Sequence, residues 1–502
     1  MSPSPLGRLP DKTWESIFRE LPAHDVHNLQ FVCRTFHDII KNSQELKYLI
    51  ALSCEGMVDT NISDLPFSDR LDRLHERRAA WDNLNWKLLP TDPTPFNELQ
   101  AYDLLGDLFV MLQDRDIFAI RLPSKTNPSR QVLSSQLDIS ALKFVLDPTQ
   151  DVIIFLVWEI TPERQYTLHV RSLTSTQRHP DAHTPTLSVP CEIPRRTTLL
   201  QINGDQVGFL HNNTPTGELH IWNWKTGERL VDKSFSDDLP MDFTFLDSES
   251  FAVVFPVGQG CGCIKIFTLT SPTSVAILLF PQITEPIYDS PLQRFQGEQG
   301  FRLLHVSLET PGFLGNHLPN RIFTTARNLR VHTLTLYYVQ RMPTPLAHRF
   351  LMFVLNDALI PFTKRSSESK LVIPWEEWGP QNTRIIEYPK HFEGHNYSYG
   401  SRVLLPTYGW VRKLELFDFN YHRPPDPESE SNLIIRRHSQ PTTISIPQLF
   451  ERDVVTALPY FSWTKPLPRD LWDRDVSFMI DEDRVVGVLN GDTGYSLFTF
   501  AM

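Results

Sequence analysis

Only a few groups of residues in this chain have the types and spacings that perform chemistry, and most fall short of what that chemistry demands. Gly258-Gln259-Gly260-Cys261-Gly262-Cys263 sets two thiols close together. Two thiolates supply half of a tetrahedral zinc site, but Cys33, Cys54 and Cys191 are too scattered to supply the second pair. The glycines of the run would need a following helix and a reaching lysine to cradle phosphate. A strand pattern follows instead, so a glycine-rich hairpin is expected. His391-Phe392-Glu393-Gly394-His395 lacks the H-E-x-x-H separation of zinc proteases, and no serine sits in a G-x-S-x-G elbow. Arg195-Arg196 and Arg436-Arg437 could form charge-assisted bonds to a phosphorylated partner, but isolated pairs of this kind read first as solvated loops. No catalytic residue, metal ligand or cofactor is expected, and the function to look for is recognition.

Composition narrows the partners. The 502 residues carry a formal net charge of −11 with a pI near 5.9, which disfavours a nucleic-acid partner. No run approaches the ~18–20 apolar residues of a membrane span, and no basic-then-apolar leader opens the sequence. No membrane association is expected. Five scattered cysteines fit a reducing compartment, so a cytoplasmic or nuclear location is expected. With 40 prolines against 21 glycines, the loops should be long and stiff.

The elements that must build a recognition surface begin near the start. In Leu9-Pro10-Asp11-Lys12-Thr13-Trp14-Glu15-Ser16-Ile17-Phe18-Arg19-Glu20-Leu21, Trp14, Ile17, Phe18 and Leu21 fall at i, i+3, i+4 and i+7, an apolar stripe on one helical face. Asp11 favours the positive end of that helix and Pro22 stops it. Val26, Leu29, Val32, Cys33, Phe36, Ile39 and Ile40 continue as a second amphipathic pattern, with Asp25 placed to cap it. A unit this small rarely buries enough surface to stand alone, so a partner or neighbouring domain should cover it.

These residues resemble the F-box. The likeness lies in the Leu9-Pro10 opening, the Ile17-Phe18 pair, the Leu29-x-x-Val32-Cys33-Arg34 ending, and Phe36 where the family often has Trp. F-box proteins are the substrate receptors of SCF-type ubiquitin ligases, in which the F-box docks on a Skp adaptor held by a cullin. The resemblance implies that Leu9, Pro10, Trp14, Ile17, Phe18, Leu21, Leu29, Val32, Cys33 and Phe36 contact a Skp-type adaptor. It further implies a cullin reached through that adaptor, an unidentified protein target, and a chain that is a non-catalytic subunit. Such docking requires Leu9, Ile17, Leu21 and Val32 to stand at the surface. Two alternatives remain: a scaffold that binds the adaptor outside any cullin ligase, and a ligand-binding or enzymatic β domain.

A helix over Gln44–Ala51 and another starting near Ser68 follow. The second presents Leu71, Leu74 and Trp81 on one face, with Arg70, Arg73, Arg77 and Arg78 read as a solvated one. Trp81 and Trp86 are expected to seat this helix on the next domain. From about Ala101 the period turns from helical to alternating. A strand–turn–strand phrase then recurs at Asp107–Arg121, Val152–Ser172, Gln206–Trp224, Phe251–Thr270, Arg302–Tyr338, Arg402–Phe419 and Arg484–Phe500. Such recurrence without helices between predicts an all-β array, and a ring of four-stranded blades hides most sheet edges. Ile221-Trp222-Asn223-Trp224-Lys225-Thr226-Gly227-Glu228 resembles the end of a WD-type blade, with Asn223 where Asp is usual. The fold expected is α+β multidomain: an F-box helical domain over 1–55, a helical linker over 56–90, and a degenerate WD-type β-propeller over 91–502 that binds the target. A β-sandwich or barrel is the alternative.

Polar insertions at Thr174–Arg196, Pro281–Gly300, Pro361–Arg402 and Tyr421–Asn432 interrupt the strands. The third contains Pro374-Trp375-Glu376-Glu377-Trp378 through Arg384, then Tyr399-Gly400-Ser401-Arg402, and resembles a stretch found in a group of fungal F-box proteins. Trp375 and Trp378, one helical turn apart, should anchor this insertion to the ring. If exposed, they would form a target-binding hot spot with Arg384 and Arg402.

Overall fold

The structure is a computed structural model that describes residues 9–61, 63–84, 87–90, 98–124, 128–160, 163–191, 197–213, 216–236, 238–257, 261–271, 273–284, 301–312, 314–318, 321–340, 346–364, 371–388, 396–407, 412–421, 435–472, 474–491 and 494–501. Trp86, Arg195-Arg196, the 391–395 histidine run and most of the Tyr421–Asn432 insertion lie outside them. Five helices open the chain: α1 (Asp11–Arg19), α2 (Ala23–Leu29), α3 (Arg34–Asn42), α4 (Gln44–Cys54) and α5 (Phe67–Asp82).

The second amphipathic pattern is two helices, not one. The chain leaves the helical region at Cys33 (φ −157°), whose Sγ accepts the backbone N–H of Phe36 at 3.5 Å and starts α3. Neither Asp25 nor Ser68 caps a helix: Pro22 and Pro66 precede α2 and α5 without a side-chain cap. Trp14, Phe18, Val26, Ile39, Ile40 and Leu46 form a small core shared by α1–α4. Among the described residues no helix is long and apolar enough to cross a membrane.

Seven sheets, antiparallel apart from one short parallel edge, follow, each centred on one of the recurring phrases. Blades 1–3 begin at Ala101, Ala141 and Thr198, and blades 4–7 begin at Asp242, Arg302, Ser398 and Asp475. The phrases were legible because a hairpin is a local structure. The inner strands read as unbroken apolar runs because neighbouring blades cover both their faces, as in Ser250–Phe255, buried throughout. Seven apolar clusters each join two adjacent blades. The last sets Met479, Val486, Val488 and Leu497 of blade 7 against Leu104, Phe109, Met111 and Phe118 of blade 1, which closes the ring. The expected Thr-Gly turn forms in blade 3: Asn223 Oδ1 accepts the N–H groups of Lys225 and Thr226, Thr226 Oγ1 accepts that of Glu228, and Gly227 takes φ +79°.

Where the structure departs from the sequence reading, the cause is long-range pairing. Lys87–Pro90, placed in the linker by sequence, pairs with Phe498–Ala501 as the outer strand of blade 7. The insertions also carry strands. Thr186–Pro190 completes blade 2 and Thr383–Glu387 completes blade 5, while Val372–Ile373 adds a parallel edge to blade 4.

Candidate functional site

The helical unit is fused to the ring rather than tethered to it. Met57–Asp59 pairs with Phe323–Thr325 as a two-stranded sheet, and Asn420 Nδ2 donates to the carbonyl of Cys54 at 2.8 Å. The arginines of α5 are ties, not a solvated face. Arg70 meets Asp59 at 2.9 Å, Arg77 meets Asp483 at 3.3 Å, and Arg78 lies 3.4 Å from Glu55. Of the four, Arg73 alone is exposed.

Packing divides the expected adaptor-contacting residues into two sets. Trp14 and Phe18 are buried, with ring centroids 4.8 and 5.1 Å from that of Phe36, so their side chains hold the helices together and do not face a partner. Leu29 and Phe36 are half-buried in the same core. Leu9, Ile17, Leu21 and Val32 are exposed, Val32 at 65%; Pro10 and Cys33 are exposed too. Sequence reasoning missed Phe31, which is 74% exposed in the turn between α2 and α3. That turn breaks the helical period, so no face assignment reaches Phe31. Solvent-facing Leu9, Ile17, Leu21, Phe31 and Val32, on a small unit whose Trp14, Phe18, Val26, Ile39 and Ile40 are packed, form an apolar surface of the kind that partners cover.

The four candidate target-binding residues are buried, and this overturns their assignment. Trp375 and Trp378 pack edge to face at 5.4 Å, and Trp378 Nε1 donates to the carbonyl of Leu279 at 2.8 Å, anchoring the insertion to blade 4. Arg384 Nε donates to Leu458 O at 2.8 Å, and its Nη1 reaches Gln440 O and Thr442 Oγ1 at 3.1 Å. Arg402 pairs with Asp418 at 3.2 Å, and it lies over the ring of Trp81. Arg436 and Arg437 lie exposed on an edge strand of blade 6, not in a loop. Burial pushes the Cys261 and Cys263 thiols up to about 12, so neither is a ready thiolate.

The ring encloses a channel of about 910 Å³ lined by Asp103, Val145, Gln201, Asp242, Glu309 and Asn396, among others. Asp242 Oδ2 accepts the N–H of Leu308 at 2.8 Å, and Glu309 Oε1 accepts that of Asn396 at 2.7 Å. Burial pushes the Asp242 carboxyl up to about 7. Glu309 is half-buried by area, yet its carboxyl sits where few waters can solvate a charge; desolvation, with Asp103 and Asp242 nearby, lifts it to about 8. This acid grouping comes from three distant strands, and no local motif announces it.

Fold and surface together define a seven-bladed β-propeller protein carrying an N-terminal helical module with exposed apolar side chains. The module is an F-box domain: the model of that domain matches residues 6–48. No curated protein matches the sequence. Among solved structures, the chain is similar to the WD40 domain of SCAP from fission yeast (9% identity, 80% of this chain and 84% of that one, TM-score 0.37). It is likewise similar to the AfRom2 CNH domain (9%, 83% and 99%, 0.35). A third likeness is to the β-propeller domain of the Trilobed protease from Pyrococcus furiosus (12%, 70% and 92%, 0.30). At these identities and scores nothing about function follows from the likenesses.

Proposed function

We propose that this chain is the substrate-recognition subunit of an SCF-type ubiquitin ligase, bridging a Skp-type adaptor and a protein target in the cytoplasm or nucleus. The observation that carries this reading is the exposure of Leu9, Ile17, Leu21, Phe31 and Val32 on a module matched as an F-box, while Trp14 and Phe18 are packed. Bridging accelerates transfer through effective concentration and needs no catalytic group from this chain. The fused junction supports the same reading, because a target held by the ring keeps a fixed position relative to the adaptor. Affinity purification of the tagged chain under proteasome inhibition tests it. Adaptor, cullin and targets should be recovered together, and Leu9→Ala with Pro10→Ala should remove adaptor and cullin. Adaptor recovered without cullin would favour the scaffold, and retention of both by the double variant would overturn the proposed contacts. The acid-lined channel favours a second reading, in which the ring binds a small ligand as well as a protein.

A further inference from the structure

On blade 3, His211, Glu218 and His220 bring one ligand atom each within 4.8 Å of one another. The register explains the grouping. His211 stands directly across from Glu218 on the neighbouring strand, and His220 follows two residues on, so all three side chains share one face of the sheet. Both imidazoles are buried, at 1% and 3% exposure, and they stack at 5.5 Å. The Glu218 side chain is about a third exposed and opens the cluster to solvent.

The spacing is what points to a ligand. Nε2 of His220 lies 3.5 Å, and Nε2 of His211 3.7 Å, from the same oxygen, Oε2 of Glu218. Both separations exceed the ~2.7–3.2 Å of a good hydrogen bond. They are close to the edge of a tetrahedron around zinc, which is about 3.3–3.4 Å for ligands ~2.0–2.1 Å from the metal. Asp232 supplies a further feature of such sites. Its Oδ1 is 3.0 Å from Nδ1 of His220, and Arg229 holds its Oδ2 at 2.9 Å. A carboxylate at Nδ1 favours the tautomer with the proton there, which leaves the Nε2 lone pair pointed into the cluster.

We propose that His211 Nε2, His220 Nε2 and Glu218 Oε2 form a zinc site on blade 3, with a fourth position on the solvent side for water or a donor from a bound protein. Two imidazoles and one carboxylate suit zinc better than magnesium or calcium, which prefer all-oxygen shells. The site lies on one blade and does not depend on the ligase assignment.

The test uses the full chain, stripped with chelator, dialysed, and titrated with Zn²⁺, with Co²⁺ as the spectroscopic probe. One equivalent of Zn²⁺ should bind, and Co²⁺ should give the visible absorption of a tetrahedral N/O site. Glu218→Gln, at a partly exposed position that leaves the strands intact, should weaken Zn²⁺ binding at least tenfold. His220→Gln should abolish the cobalt spectrum. Cys54→Ser, which removes a free thiol on α4, serves as the control and should change neither. No uptake by the folded wild-type chain would overturn the proposal, as would unchanged uptake by Glu218→Gln. Should the histidine variant fail to fold, by circular dichroism, the Glu218→Gln titration decides alone.

Discussion

The indole Nε1 of Trp463 donates to the backbone carbonyl of Trp81 at 3.1 Å, linking blade 6 to the last turn of α5. Trp81 is fully buried and shares one apolar cluster with Leu404, Leu416, Trp463 and Phe478, so the end of the helical unit is part of the propeller core. Lys465 Nζ reaches the carbonyl of Leu84 in the same place. The orientation of the F-box is therefore set by core packing rather than by a linker.

Replacing that indole should loosen both parts at once. Trp81→Ala is expected to cost about 3–5 kcal/mol, the usual range for removing a large buried aromatic side chain. Chemical unfolding of the full chain should show the lower midpoint, and limited proteolysis should cut sooner between α5 and blade 1. A midpoint matching wild type would mean that the junction carries no core energy.

At the docking surface the expectation is reversed: binding changes while stability does not. Phe31→Asp and Val32→Asp remove exposed apolar side chains, so the melting temperature should hold, because substitutions away from the core usually stay within about 0.5 kcal/mol. Adaptor affinity should fall at least tenfold, consistent with hot-spot losses of ~2 kcal/mol or more. Trp14→Ala should do the opposite, lowering the stability of the helical unit through its aromatic core. Calorimetric titration against a purified Skp-type adaptor, beside a melting curve, separates the two classes of variant.

Arg384 offers a third check. Its guanidinium is fully buried and donates to Leu458 O, Gln440 O and Thr442 Oγ1. Arg384→Ala strands the carbonyl of the buried Leu458, at about 1–3 kcal/mol for a buried group left unpaired, while the exposed Gln440 and Thr442 can turn to water. Unfolding midpoints should fall accordingly, and any loss of target recovery should track the loss of folded protein. Full stability with selective loss of target would instead restore Arg384 as a recognition residue.

What could be read from sequence follows how far apart the contacting residues lie. Hairpins such as Leu108–Gln113 with Asp116–Arg121 pair across two residues, so alternation and a turn suffice to find them. The pairing of Lys87–Pro90 with Phe498–Ala501 spans most of the chain and leaves no local trace. Trp375 and Trp378 were expected to anchor their insertion, and Trp378 does so on blade 4. Burial of Arg384 was hidden, because its surroundings in sequence are those of a loop while its acceptor, the carbonyl of Leu458, comes from beside blade 6. Exposure of Leu9, Ile17, Leu21 and Val32 was legible because so short a unit cannot cover every apolar side chain that its helices carry.

The channel acids make stability depend on pH in a definite direction. Asp242 and Glu309 titrate near 7 and 8 in the folded chain, against roughly 3.9 and 4.3 when unfolded. Between those values the folded state binds more protons than the unfolded one, so stability falls as pH rises and levels off above about 8. His332, whose burial holds it down to about 3, acts the other way: the unfolded chain takes up its proton first, so stability gained from His332 grows as pH rises towards ~6.5. The window from about 6.5 to 7.5 is therefore dominated by the acids; above it the unfolded chain also loses thiol protons, near ~8.5, that Cys261 and Cys263 keep when folded. Burial lowers the pKa of Lys143, and its positive charge partly offsets the rise at Asp242. Melting temperatures across this window should fall for wild type and fall less for Glu309→Gln, whose amide oxygen still accepts the Asn396 N–H while carrying no charge to desolvate. Parallel slopes for the two proteins would show that Glu309 ionises freely and that the channel is wetter than its walls imply.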